Sequence, residues 1–115
     1  MIRVVARVLI CEPDREVREL LSRVVVRLGH EAVHDDAQLA PVDAIVLEPA
    51  HPPSVERARA FRAVNGATPI VCTSIDLPDA GSRLLAPSAY LIKPFALPDL
   101  EAALERALNG KHSPS

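Results

Sequence analysis

The sequence lacks a long apolar run. No stretch approaches the roughly 20 apolar residues that a membrane-spanning helix needs. Residues 1–7 also lack the apolar core and the small-residue cleavage site of a secretory signal. Together these absences predict a cytoplasmic protein with no membrane as a partner.

An excess of basic charge is also missing. The formal net charge is -2 at pH 7, and acidic and basic residues are interspersed without forming a basic stripe. Proteins that bind nucleic acids depend on clustered lysine and arginine to neutralise phosphates. The sequence therefore predicts that no nucleic acid is a direct partner.

Cysteine is scarce, and the two cysteines lie far apart in the chain. Cys11 and Cys72 form no Cys-x-x-Cys pair, and each lies inside an apolar run typical of a β-strand. A cysteine in such a run usually behaves as a small buried hydrophobe. We predict two buried, reduced thiols and no disulfide.

Several catalytic and cofactor motifs are absent as well. No glycine-rich phosphate loop follows the first apolar run, and no Gly-x-Ser-x-Gly nucleophile elbow occurs. His30, His34 and His51, with Asp35 and Asp36, lack a helical histidine motif and are interpreted as solvated loop residues. We predict that the protein is not an enzyme and has no catalytic residues, no metal site and no cofactor.

The length and composition of the chain are typical of one globular domain. The chain has 115 residues, of which 49% are hydrophobic and 24% are charged. The 11 prolines concentrate in connecting segments, where they stiffen loops. We predict a single domain over residues 1–110 and a polar C-terminal tail over residues 111–115.

Apolar runs alternate with helical patterns along the whole chain. Asp14 is predicted to cap a helix that Gly29 ends, Ser54 to cap a second helix that Gly66 ends, and Pro98 to open a third. A short, weak helix is predicted between Pro78 and Pro87. Five runs are predicted to be strands, most of them continuously apolar, at residues 4–11, 31–34, 44–47, 69–73 and 89–92.

This alternation predicts an α/β fold with an open, doubly wound parallel sheet. In such sheets the functional crevice lies beyond the carboxyl ends of the strands. Acidic, hydroxyl and ammonium groups would therefore converge there, from Glu12, Asp14, Glu48, His51, Thr73, Ser74 and Lys93.

Four segments resemble the receiver domains of response regulators, the CheY-like family. They are residues 8–14 (VLICEPD), 43–48 (DAIVLE), 69–74 (PIVCTS) and 90–95 (YLIKPF). The last is the most specific, because Lys-Pro follows the fifth strand with an aromatic residue three positions earlier. The resemblance covers nearly the whole chain and implies a five-stranded sheet of order 2-1-3-4-5. Residues 35–42 leave little room for a helix between strands 2 and 3, so that helix is expected to be short or absent.

The resemblance also implies a role for each residue of the crevice. Glu48 matches the phosphoacceptor aspartate, and its extra methylene pushes the carboxylate toward the position of a phosphoryl group. Ser74 and Lys93 match the phosphate-binding hydroxyl and lysine. Tyr90 matches the aromatic switch residue.

The acidic pocket of the family is altered. Glu12 matches its first acid, but Pro13 matches the second acid, so one carboxylate ligand of Mg²⁺ is lost. Asp14 is adjacent but also suits the cap of the first helix. Mg²⁺ is therefore expected only if this acidic pocket is still competent.

These departures predict a signal-transduction module of the two-component type that works without phosphorylation, through protein–protein contacts. Glu48 is expected to pair with Lys93 and hold the crevice in one state. The expected partner is a histidine kinase, an output protein or a second copy. The alternatives are a functional phosphoacceptor in a phosphorelay and a small-molecule sensor that uses the crevice.

Overall fold

The computed structural model describes residues 5–34 and 41–110. The strands are β1 (Arg7–Cys11), β2 (Glu31–His34), β3 (Ala44–Leu47), β4 (Ile70–Ser74) and β5 (Ala89–Ile92). The helices in this part of the chain are α1 (Arg15–Arg27), α2 (Pro52–Asn65), α3 (Ala80–Leu84) and α4 (Leu97–Gly110). None of these helices is long and apolar enough to cross a membrane.

The five strands form one parallel sheet in the order β2-β1-β3-β4-β5, as predicted. Strands β3 and β4 are buried along their whole length, which explains their continuously apolar sequences. The register aligns Cys11 with Leu47 and Leu47 with Cys72. The two cysteines are thus two strand spacings apart, about 9.6 Å, and the predicted absence of a disulfide between them is confirmed.

Helix α1 begins and ends as the sequence predicts. The Asp14 carboxylate accepts hydrogen bonds from the backbone N–H groups of Glu16 and Val17, which have no partner inside the helix. Gly29 follows the helix with a φ of 90°, a conformation that glycine adopts without strain. The cap fixes where the chain leaves the crevice after β1.

Helix α2 begins three residues earlier than predicted, because Pro52 and Pro53 occupy its first turn, where a missing N–H costs nothing. The N-cap residue is His51. Ser54 does not cap the helix and is buried, with its Oγ 2.8 Å from His51 Nδ1. The helix ends at Gly66, as predicted, with a φ of 76°.

Helices α3 and α4 follow their predicted positions. Asp79 caps α3 by accepting a hydrogen bond from the Ser82 backbone N–H, and this bond lowers the pKa of Asp79. Pro98 lies in the first turn of α4, whose Leu100 and Leu104 are fully buried. The last helix continues through Gly110, which was expected to lie just after it.

The core has two halves, one on each face of the sheet. One half packs α1 and α4 against the sheet and contains Leu21 and Leu104. The other packs α2 and the end of α3 against the opposite face and contains Phe61 and Leu85. Alternate residues of each buried strand point into the two halves, so both depend on the same five strands.

Two predictions concern segments outside the described residues. The helix between β2 and β3 that was expected to be short or absent would fall in residues 35–40, which lie outside the described ranges, as does the tail at 111–115.

The expectation that His30 is a solvated loop residue is wrong. Its ring is half-buried, and Nδ1 accepts a hydrogen bond from the Ala6 backbone N–H.

Candidate functional site

The carboxyl edge of the sheet brings together four of the predicted site residues. Glu12 follows β1, Glu48 follows β3, Ser74 ends β4, and Lys93 follows β5. Backbone hydrogen bonds continue the sheet beyond the ends of the strands and position two of these site residues, Glu48 and Lys93. The Glu48 N–H donates to Cys11 O at 3.1 Å, and the Lys93 N–H donates to Ser74 O at 2.8 Å.

Lys93 lies between two carboxylates. Its Nζ is 2.5 Å from Glu12 Oε1 and 3.5 Å from Glu48 Oε1. The side chains of Glu12, Glu48 and Lys93 are only 2%, 10% and 16% exposed. Lys93 is therefore an ion-pair partner of Glu48, as expected from the resemblance, but its hydrogen bond goes to Glu12.

Glu12 is held on both of its carboxylate oxygens. Oε1 accepts from Lys93, and Oε2 accepts from the Asp14 backbone N–H at 3.1 Å. The Arg18 guanidinium donates to the Glu12 backbone carbonyl at 3.0 Å, a contact that the sequence did not indicate. Asp14 itself is exposed, and its carboxylate caps α1. Of the two acids that follow β1, only Glu12 therefore binds Lys93.

Glu48 has one unsatisfied oxygen. Its Oε2 is buried and has no hydrogen-bond partner among the described residues. A buried acceptor without a donor costs about 1–3 kcal/mol, and a charged one costs more. Lys93 Nζ approaches Oε1 of Glu48, so among the described residues the two carboxylates of the crevice share this one ammonium.

The residues present do not make a magnesium site. Mg²⁺ requires octahedral oxygen coordination at 2.0–2.1 Å. Both oxygens of Glu12 and Oε1 of Glu48 are already engaged, Pro13 has no side-chain oxygen, and Asp14 caps a helix. Of the four carboxylate oxygens of Glu12 and Glu48, Glu48 Oε2 is the one without a partner among the described residues.

Ser74 and Tyr90 meet at the loop that follows β4. The Asp76 backbone N–H donates to Ser74 Oγ at 3.1 Å, and the Tyr90 hydroxyl donates to Asp76 O at 2.8 Å. Burial raises the pKa of Tyr90, and an interaction with Ser74 opposes that rise. Asp76 was not singled out from the sequence, because it acts through backbone atoms that any residue would provide. Tyr90 is thus fixed to the loop beside the crevice.

Cys72 lies on β4, close to the carboxylate of Glu48. Burial and the negative charge of Glu48 raise the pKa of the Cys72 thiol to about 12, while the charge of Arg62 acts in the opposite direction. Since the thiolate is the reactive form of cysteine, both the burial of Cys72 and this raised pKa disfavour reaction of its thiol at neutral pH.

The architecture now identifies the fold. The chain has the fold of a response-regulator receiver domain. It is similar to chemotaxis protein CheY4 of Vibrio cholerae, with a TM-score of 0.78, 22% identity, and coverage of 91% of this chain and 100% of that one. A two-component response regulator from Clostridium difficile has a TM-score of 0.77, with 21% identity and coverage of 94% and 99%.

A longer protein contains the same fold as one of its parts. NtrX from Brucella abortus matches with a TM-score of 0.80 and 17% identity, over 95% of this chain and 27% of NtrX. No protein-family model and no curated protein sequence matches the chain. At these identities the receiver likeness is one of fold, so the function of this chain has to be argued from its own crevice.

Proposed function

We propose that this receiver-like domain is a signalling module that acts through protein–protein contacts without being phosphorylated, and that it is not an enzyme. The observation that carries the proposal is the sharing of Lys93 by Glu12 and Glu48. The ammonium that would bind a phosphoryl oxygen is already engaged by buried carboxylates.

The charge balance of the crevice supports this proposal. Glu12 and Glu48 place two carboxylates beside the one ammonium of Lys93. A phosphorylated side chain carries about -1.5 to -2. Bringing each further negative unit charge within about 4 Å of a carboxylate costs about 4 kcal/mol at an effective dielectric constant of about 20. Phosphorylation at Glu48 would replace one carboxylate charge by a larger phosphoryl charge beside Glu12, and this added repulsion disfavours it.

The position of Tyr90 supports a fixed docking surface. Its hydroxyl bonds to the loop after β4, and Ser74 Oγ bonds to the same loop, so no phosphoryl group is needed to hold either side chain. The proposed partner is a protein, namely a histidine kinase, an output protein or a second copy of this chain.

Phosphorylation is tested with the full chain, Mg²⁺ and a small acyl phosphate, with intact mass as the measurement. We expect no phosphoryl adduct on the native chain or on Glu48→Asp, because Pro13 still supplies no carboxylate. The double variant Pro13→Asp/Glu48→Asp restores both acids and is expected to gain a Mg²⁺-dependent adduct. A known receiver domain serves as the assay control.

Rapid, Mg²⁺-dependent labelling of the native chain at Glu48 or a neighbouring acid would refute the proposal and favour the phosphorelay alternative. A labelled double variant beside an unlabelled native chain would attribute the difference to these two positions. Circular dichroism of each variant before labelling excludes loss of the fold as the reason for a missing adduct.

A further inference from the structure

A second charged depression lies at the opposite edge of the sheet from Glu48. It has a volume of about 760 Å³, and its lining includes Arg62 of α2, Ser88 before β5 and Arg106 of α4. Parallel strands place all their amino ends at one edge, and β4 has 5 residues, so this edge is roughly 16 Å from the crevice. The depression is therefore separate from the receiver crevice.

Arg62 is held in place. Its Nε donates to Thr68 O at 3.0 Å, and its Nη1 donates to Leu85 O. A guanidinium has five N–H donors, so these two bonds fix its plane and leave others available. A planar group with fixed orientation loses little entropy when it binds a carboxylate or phosphate in a bidentate manner.

Arg106 is the second cation of this depression. It is exposed and forms no ion pair with any residue in the described ranges. Within residues 5–34 and 41–110, no acidic residue lines the depression, and Ser88 adds a hydroxyl donor. Two arginines thus line a concave space to which no described residue contributes a carboxylate, in a chain whose net charge is -2.

The remaining lining is small and leaves room. Its residues are Gly66, Ala67, Pro69, Ala86 and Ala107. A Cβ added at Gly66 would have no atom within 4 Å, so the space beside it is open. The volume falls in the range of about 300–1,000 Å³ that is typical of small-molecule sites.

We propose that this depression binds a small oxyanion, a carboxylate or phosphate compound with at least two acceptor oxygens, between Arg62 and Arg106. Such charge-assisted, bidentate contacts are the ones that arginine makes best. The site goes beyond the proposed function of the crevice, because it uses none of the crevice residues.

The test is a titration of the isotopically labelled full chain with inorganic phosphate and with citrate at constant ionic strength, followed through its amide resonances. We expect saturable shifts at Gly66, Ala67 and Ser88, and none at Glu12 or Glu48. Arg106→Gln should weaken binding about tenfold, the loss of one charge-assisted hydrogen bond of about 1.4 kcal/mol. Arg23→Gln, on the exposed surface of α1, is the matched control and should change nothing.

Saturable binding of either anion with the expected effect of Arg106→Gln supports the site. The proposal is overturned if neither anion binds saturably, if shifts scatter over other exposed arginines, or if Arg23→Gln weakens binding as much as Arg106→Gln. Arg62→Lys, which keeps the charge but loses the fork of donors, should also weaken binding. Its fold is checked by circular dichroism, because Arg62 bonds two carbonyls.

Discussion

Lys93 shows how one side chain can determine the chemistry of a crevice. It is the shared cation of Glu12 and Glu48, both of which are almost completely buried. A buried charge whose partner is removed costs far more than the net contribution of the intact pair. The stability of this edge of the sheet should therefore depend more on Lys93 than on either carboxylate alone.

We expect Lys93→Met to lower the free energy of unfolding by about 3 kcal/mol, because it leaves two buried carboxylates without their cation. Glu48→Gln alone should cost little or even stabilise the domain, since it removes the unsatisfied charge on Oε2. The double variant should recover part of the loss, and urea denaturation measures all three. Equal losses for Lys93→Met in the native and Glu48→Gln backgrounds would contradict this coupling.

Cys72 gives a prediction about alkaline pH. Its pKa is raised from 9.0 to about 12 in the folded chain, so between these values the folded state retains a proton that the unfolded state has lost. The contribution of the Cys72 thiol to the free energy of unfolding is therefore fully present below pH 9. It falls as the pH rises toward 12, by up to about 1.4 kcal/mol per pH unit. Urea denaturation from pH 8 to 11 should show a shallower decline for Cys72→Ala. Identical slopes would argue against the shift.

At the scale of secondary-structure elements, the ends of helices decide how the loops reach the crevice. Asp14 ends the loop after β1 by capping α1, which keeps its carboxylate away from Lys93. His51 and the two prolines start α2 only three residues after Glu48. Gly66 ends α2 and begins the turn into β4, so its backbone conformation matters to both elements.

Gly66→Ala should destabilise the domain by about 1–3 kcal/mol through backbone strain alone. The φ of 76° and ψ of -130° form a combination that suits glycine, while an added Cβ would meet no atom within 4 Å. Asparagine tolerates the left-handed helical region but not this ψ, so Gly66→Asn should not rescue stability. Thermal unfolding of both variants is the measurement. A neutral Gly66→Ala would show that the turn relaxes freely.

At the scale of the whole molecule, the strands of one sheet supply side chains to both half-cores, so each half-core depends on the same sheet. The fully buried Phe61 belongs to the half-core beneath α2, and the buried Leu104 belongs to the half-core beneath α4. Because alternate residues of the same strands fill both halves, neither half should unfold without the other.

We expect Phe61→Ala to cost about 3–5 kcal/mol and Leu104→Ala about 2–5 kcal/mol, each with one cooperative transition. Far-ultraviolet circular dichroism reports on the helices of both faces, and fluorescence of the single tyrosine, Tyr90, reports on the half-core that contains Phe61, so the two curves should coincide. Val26→Ala, at a position that is 61% exposed, is the control and should change stability little. Separate transitions for the two probes would show that the half-cores unfold independently.

Much of the fold could be predicted because its signals are local. The apolar runs, Asp14, Gly29, Gly66 and Pro98 each specify the end or interior of one element through backbone sterics and hydrogen bonding. The start of α2 was harder to predict, because Ser54 is a favoured N-cap residue, whereas His51, the N-cap in the structure, makes no side-chain capping bond. Two consecutive prolines decided between them by favouring the first helical turn.

The sequence by itself determined which chemical groups stand at the carboxyl edge, because strand order and loop positions follow from periodicity and from the likeness to receivers. Only the tertiary structure decided how those groups pair. Lys93 is 81 residues from Glu12, and its hydrogen bond to Glu12 instead of Glu48 depends on a difference of about one ångström between two approaches. Such a difference is set by the packing of β1, β3 and β5 together. The same holds for Arg62 and Arg106, which α2 and α4 bring to one depression although no motif links them.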